Sequence, residues 1–138
     1  MKAETDPITP DEWLLRLVWK DRFTNRQPII STTAFEPRTG RNPEIDGISL
    51  FRKDCLNDPL DVLLAVQEDK RDNYGVVQIP LSSLAALGLT VKPAPAVVAG
   101  HVVIPEINSV EFKHDRARVT LIMLRLAEKA SENILLRP

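Results

Sequence analysis

The sequence predicts an α+β fold: a small mixed β-sheet with three to four packed helices, forming a single compact domain over 1–138. Two observations carry this. Hydrophobic periodicity changes along the chain, from helix-like spacing to short β-branched runs and back. The 11 prolines and 5 glycines are scattered between these runs rather than gathered into a linker, so they punctuate short elements. Hydrophobic residues at 43% and charged residues at 27% match a globular chain and exclude the charge-rich signature of disorder.

The first element opens at Thr9-Pro10-Asp11-Glu12, which combines an N-cap hydroxyl, a proline at the first helical position and an acidic residue. A helix is expected from about Pro10 to Lys20, with Trp13, Leu14, Leu15, Leu17, Val18 and Trp19 leaving a narrow polar edge at Glu12, Arg16 and Lys20. Residues 1–8 carry no element signal and are the stretch expected to lie disordered. Two strands should follow, around Ile29 to Thr33 and over Ile48 to Phe51, joined by an exposed loop, Glu36 to Pro43, that carries Arg38 and Arg41.

Asp58-Pro59-Leu60-Asp61 repeats the capping pattern and predicts a second helix through Val66. Gly75 to Pro80 reads as a buried strand, and Leu81 to Leu87 as a short helix closed by Gly88 in the left-handed conformation. Leu89 to Val91 suggests a further strand, His101 to Pro105 a central one, and Val110 to Phe112 a short extension. The last helix is expected from about Asp115 to Ala130, on the stripe Val119, Ile122, Met123, Leu126, Ala127 and Ala130. Leu121 and Leu124 fall off that stripe and need another neighbour, either the tail Ile134 to Leu136 or a second molecule.

Eighteen Lys and Arg against nineteen Asp and Glu give a net charge of −1, so the global basic excess of a nucleic-acid binder is absent. Cys55 is the single cysteine, which excludes an internal disulfide and a multi-thiolate zinc site and fits a reducing compartment. The polar N-terminus and the lack of a long apolar run point away from secretion and the membrane, toward the cytoplasm. The glycines are isolated from one another, so the usual phosphate-binding loops are missing and no cofactor is expected.

For catalysis, His101 with Glu106 or Glu111 and an arginine such as Arg52 is the candidate set, in a small hydrolase or a metal-dependent nuclease-like enzyme. The spacing matches no ligand motif, so no metal site is assigned. His101 opens an apolar strand, where bonding to loop backbone is the commoner role, and His114 lies at a helix start as a solvated or capping residue. Of two Glu-x-Lys matches, Glu68-Asp69-Lys70 lies at a helix end. Glu111-Phe112-Lys113 lacks an upstream strand Asp other than Asp72. The hydroxyls of Ser31-Thr32-Thr33 have no nucleophile elbow around them, and Cys55, beside Asp54 and near Asp58, reads as a structural thiol.

The leading expectation is therefore a non-enzymatic binding or adaptor module acting through a protein partner or a homo-oligomer, with Trp13, Trp19, Leu121 and Leu124 at the interface. A third reading is association with nucleic acid through Arg22, Arg26, Arg38, Arg41 and Arg52.

Overall fold

The heptapeptide Trp-Leu-Leu-Arg-Leu-Val-Trp is apolar on both sides of a single arginine. In the computed structural model, which describes residues 1–138, it forms β1 (Trp13–Trp19) near the middle of a sheet. The remaining strands are β2 (Ile48–Arg52), β3 (Tyr74–Pro80), β4 (Lys92–Pro93), β5 (His101–Ile104) and β6 (Ile134–Leu136). Their order across the sheet is β4-β5-β2-β1-β3-β6, and every pairing is antiparallel. Three α-helices, α1 (Leu81–Ala86), α2 (Ser109–His114) and α3 (Arg116–Ser131), join five 3₁₀ segments to complete the α+β arrangement.

The pleat sends successive residues of a strand to opposite faces. On one face Leu14, Val18, Leu50, Val77, Ile79 and Val102 meet Val119, Met123, Leu126, Ala127 and Ala130 of α3, forming the main core. Leu15, Phe51 and Val76 point the other way, onto Val62 and Val98. Only the 3₁₀ segment Pro59–Ala65 and the chain leading into β5 cover this second face, so part of it stays open.

Several expectations are met: β2, β3, β5, the short helix after Pro80 and the long C-terminal helix lie where the sequence places them. Others are corrected. Pro10 to Lys20 is not a helix. Its capping hydrogen bond does form, since the Thr9 N–H donates to Glu12 Oε2 at 2.7 Å, but it closes only a turn. The chain then extends because all seven residues pair with β3, from Trp13↔Pro80 to Trp19↔Tyr74. Cross-strand pairing outweighs the local helical signal.

The expected strand at Ile29 to Thr33 is reduced to one bridge, Phe23↔Ile30, before Thr32–Phe35 turns as a 3₁₀ segment under the Ser31 hydroxyl. That turn buries Ala34 and Phe35 in the main core. At Asp58 the capping box forms, yet the helix it opens, Pro59–Ala65, is 3₁₀. Leu89 to Val91 is not a strand, and pairing starts at Lys92. Val110 to Phe112 belongs to α2, capped by Asn108 Oδ1 accepting the Glu111 N–H at 2.9 Å. The tail Ile134 to Leu136 does not fold over Leu121. It pairs with the edge of β3 instead.

Gly88 has φ of +75° and open space around a would-be Cβ, whereas Gly47 has φ of +126° and lies against the Ile104 carbonyl. Gly88→Val should therefore cost about 1 kcal/mol or more through backbone strain. Gly47→Ala adds a collision to the strain and should cost clearly more than Gly88→Ala. Urea unfolding of the variants measures both effects.

Candidate functional site

Of the candidate catalytic residues, His101 and Arg52 line one pocket beside Glu4, Asp6 and Gly100, whereas Glu106 and Glu111 lie elsewhere. His101 opens β5, where its Nδ1–H donates to the Ala94 carbonyl and its ring lies 5.1 Å from that of Phe51. Glu106 lies beyond the opposite end of β5, so at about 3.3 Å per residue the strand alone separates it from His101 by roughly 10 Å. Its carboxylate accepts from the Thr90 N–H at 2.8 Å and the Thr90 hydroxyl at 2.6 Å. Glu111 is on α2, paired with Arg118 at 3.1 Å.

Arg52 is 1% exposed and forms an ion pair with Glu12, whose side chain is 0% exposed. Nε donates to Oε1 at 2.8 Å and Nη2 to Oε2 at 3.0 Å. The other donors reach the carbonyls of Glu4, Asp6 and Pro7 at 3.2, 2.9 and 3.2 Å. All five guanidinium N–H groups are thus engaged, and none is left for a substrate. The same bonds hold residues 1–8, which the sequence leaves without an element, against the end of β2.

Burial by itself would raise the Glu12 carboxyl. The hydrogen bonds from Arg52 and the Thr9 N–H, with the Arg52 charge and Lys2, outweigh it and hold the group below the usual carboxylate range. The hydrogen bond to Glu12 raises Arg52 in turn, against the opposing effect of burial. Burial raises the Cys55 thiol, so this cysteine lacks the thiolate character of a nucleophile.

A different arginine, half-buried, lines a groove. The groove, of about 590 Å³, is lined by Leu17, Trp19 and Phe51 of the second face and, where β1 and β2 part, by Arg16, whose side chain leaves β1 on the side of Leu14 and Val18, together with Arg22, Arg38, Glu36 and Glu44. β1 and β2 pair only at Leu14↔Arg52 and Leu15↔Phe51, and Arg16 bridges the two strands where they part. Its Nε and Nη2 donate to the Ala34 carbonyl at 3.2 and 2.9 Å, and Nη1 donates to the Ser49 carbonyl at 2.7 Å. The guanidinium carbon lies 5.7 Å from the centre of the Phe35 ring.

These three bonds leave two N–H groups unused, and no carboxylate lies within ion-pair distance of Arg16. Burial pulls the guanidinium below its ordinary value, partly offset by Glu44 and Tyr74 and reinforced by Arg38. It stays charged, because no environment deprotonates arginine near neutral pH. The groove also has an apolar part, Ala65, Val66, Ala96, Val97 and Val98, in which Val97 is 99% exposed. Leu64, 59% exposed, adjoins Val97 in a neighbouring shallow pocket.

The four interface candidates do not share one surface. Strand alternation sets Trp13 and Trp19 on the face of Leu15, with Trp19 lining the groove and its ring 5.2 Å from that of Tyr74. Leu121, 55% exposed, and half-buried Leu124 are on α3, which packs on the opposite face. Of the early arginines, Arg22 and Arg38 line the groove, Arg26 and Arg41 are exposed elsewhere, and Arg52 is internal. No three His, Cys, Asp or Glu side chains are placed to hold a metal ion. No helix is long and apolar enough to cross a membrane.

A helix over Pro10 to Lys20 would put Arg16 on its polar edge; the strand instead sets it between β1 and β2. The available signal was one charge centred in a seven-residue apolar run, the pattern of a strand buried on both faces. Comparison with protein-family models, curated proteins and solved structures finds no match to this chain.

Because the folded-state value of Glu12 is depressed, its stabilisation is complete above the unfolded glutamate value of about 4.3 and is lost as pH falls through the folded value. Glu12→Gln should cost about 3 kcal/mol at neutral pH by leaving Arg52 unpaired. The gap to wild type should narrow below about pH 4, as read by urea unfolding across pH.

Proposed function

We propose that the protein is a non-enzymatic, cytoplasmic binding module that engages a protein partner through the groove where β1 and β2 part. The observation that carries this reading is the composition of the groove. Three arginines and two glutamates line it together with exposed aliphatic residues, and its central arginine keeps unused donors. Recognition surfaces combine exposed apolar area with a few placed polar groups in this way. The hydrolase alternative requires His101, Glu106 or Glu111 and an arginine at one point; His101 and Arg52 share a pocket, but Arg52 has every donor engaged and the two glutamates bond Thr90 and Arg118 elsewhere. The single, buried Cys55 supports a reducing location.

Selection of a random peptide library on the wild-type protein tests the reading. Enriched peptides should lose at least tenfold in affinity for Val97→Asp and Arg38→Glu, both exposed positions whose substitution leaves the fold intact. Enrichment indifferent to both substitutions, or no enrichment, would refute groove recognition.

A further inference from the structure

We infer that Arg16 is an anion seat within the groove, and that the bound partner segment presents an acidic side chain to it. The inference rests on the groove being the recognition surface and adds the chemistry of what enters. The two internal arginines make the argument by contrast. Arg52 has a carboxylate partner and all five donors engaged, so its site is closed. Arg16 has only two neutral carbonyl partners, lines an open groove, and keeps two donors free.

A guanidinium drawn out of water, hydrogen-bonded only to carbonyls and with Glu44 near but not paired to it, gains more from an arriving anion than an exposed one does. The seat is also pre-set. Its orientation is held by Ala34 on the 3₁₀ turn, Ser49 on β2 and the Phe35 ring, so little side-chain freedom is lost on binding. Arg22 and Arg38 add positive charge at the same groove, which outnumbers Glu36 and Glu44 by three to two. Glu44 is itself engaged, accepting the Arg38 N–H at 2.9 Å, and does not reach Arg16. The neighbouring aliphatic surface at Val97 and Leu64 suits apolar side chains flanking the acidic one. An acidic segment of a partner protein fits both parts.

The test combines peptides selected from a random library with small-anion titrations. Selected peptides should carry an acidic residue whose Glu→Gln exchange weakens binding about ten- to hundredfold, the size expected for a charge-assisted hydrogen bond. Arg16→Lys should show a similar loss on the unexchanged peptide, because it keeps the charge and loses the fork. Should Arg16→Lys fail to fold, titration of wild type still decides. N-acetylglutamate should shift the Arg16 Nε–H resonance saturably and leave that of Arg52 unmoved.

Groove-dependent peptides without acidic preference, with an unmoved Arg16 resonance, would overturn the seat and leave groove recognition standing. A saturable Arg16 shift without any groove-binding peptide would support the seat and overturn the protein-partner reading. A response to inorganic phosphate or a phosphoserine peptide but not to N-acetylglutamate would overturn the acidic-side-chain assignment in favour of a phosphorylated ligand.

Discussion

The buried pair of Arg52 and Glu12 is the contact on which much of the remaining structure depends. It joins the end of β2 to the residue preceding β1, and through three backbone carbonyls it seats the N-terminal segment. Placing two charges where they are essentially unexposed is costly unless every hydrogen-bonding position is filled. Here the Thr9 N–H and Lys2 complete the carboxylate, and the carbonyls complete the guanidinium. The same region explains Gly100, where a Cβ would lie 2.8 Å from that of Cys55 and 3.2 Å from the Arg52 carbonyl. Glu4 ties the two segments together by accepting the Gly100 N–H at 2.8 Å. The ion pair thus organises one end of the sheet without offering any chemistry to a ligand.

The two faces of the sheet are unequal because only one long helix follows the strands. α3 brings a continuous apolar stripe to one face, and β1, β2, β3 and β5 answer with their inward residues. The other face is covered by a 3₁₀ segment and an irregular chain, elements too short to shield it fully. The short pairing between β1 and β2 makes room for the loop that carries Arg38 and Glu44. Incomplete cover and local strand separation are therefore what create the groove, and Arg16 is the side chain that spans the separation. Three of its donors hold the parted strands and the 3₁₀ turn, and two are unused at the groove.

Local chemistry was enough to place the elements that do not depend on distant pairing. The Asp58 box, the Gly88 cap, the strand ended by Pro80, and the stripe from Val119 to Ala130 could be read directly, because their signals come from neighbours a few residues away. The α+β class follows from these same signals. Long-range pairing decided the rest. Trp13–Trp19 satisfies helix and buried-strand patterns equally, and only the presence of β3 along its whole length makes it extend. Ser31-Thr32-Thr33 has strand residues yet turns, since that turn carries Ala34 and Phe35 into the core under α3. Among site residues, the local bond of His101 to a loop backbone was legible, because it joins residues close in sequence. The difference between Arg52 and Arg16 was not. Arg52 meets a carboxylate 40 residues away, and Arg16 finds carbonyls 18 and 33 residues away, so nothing near either arginine in sequence announces which is closed and which is open.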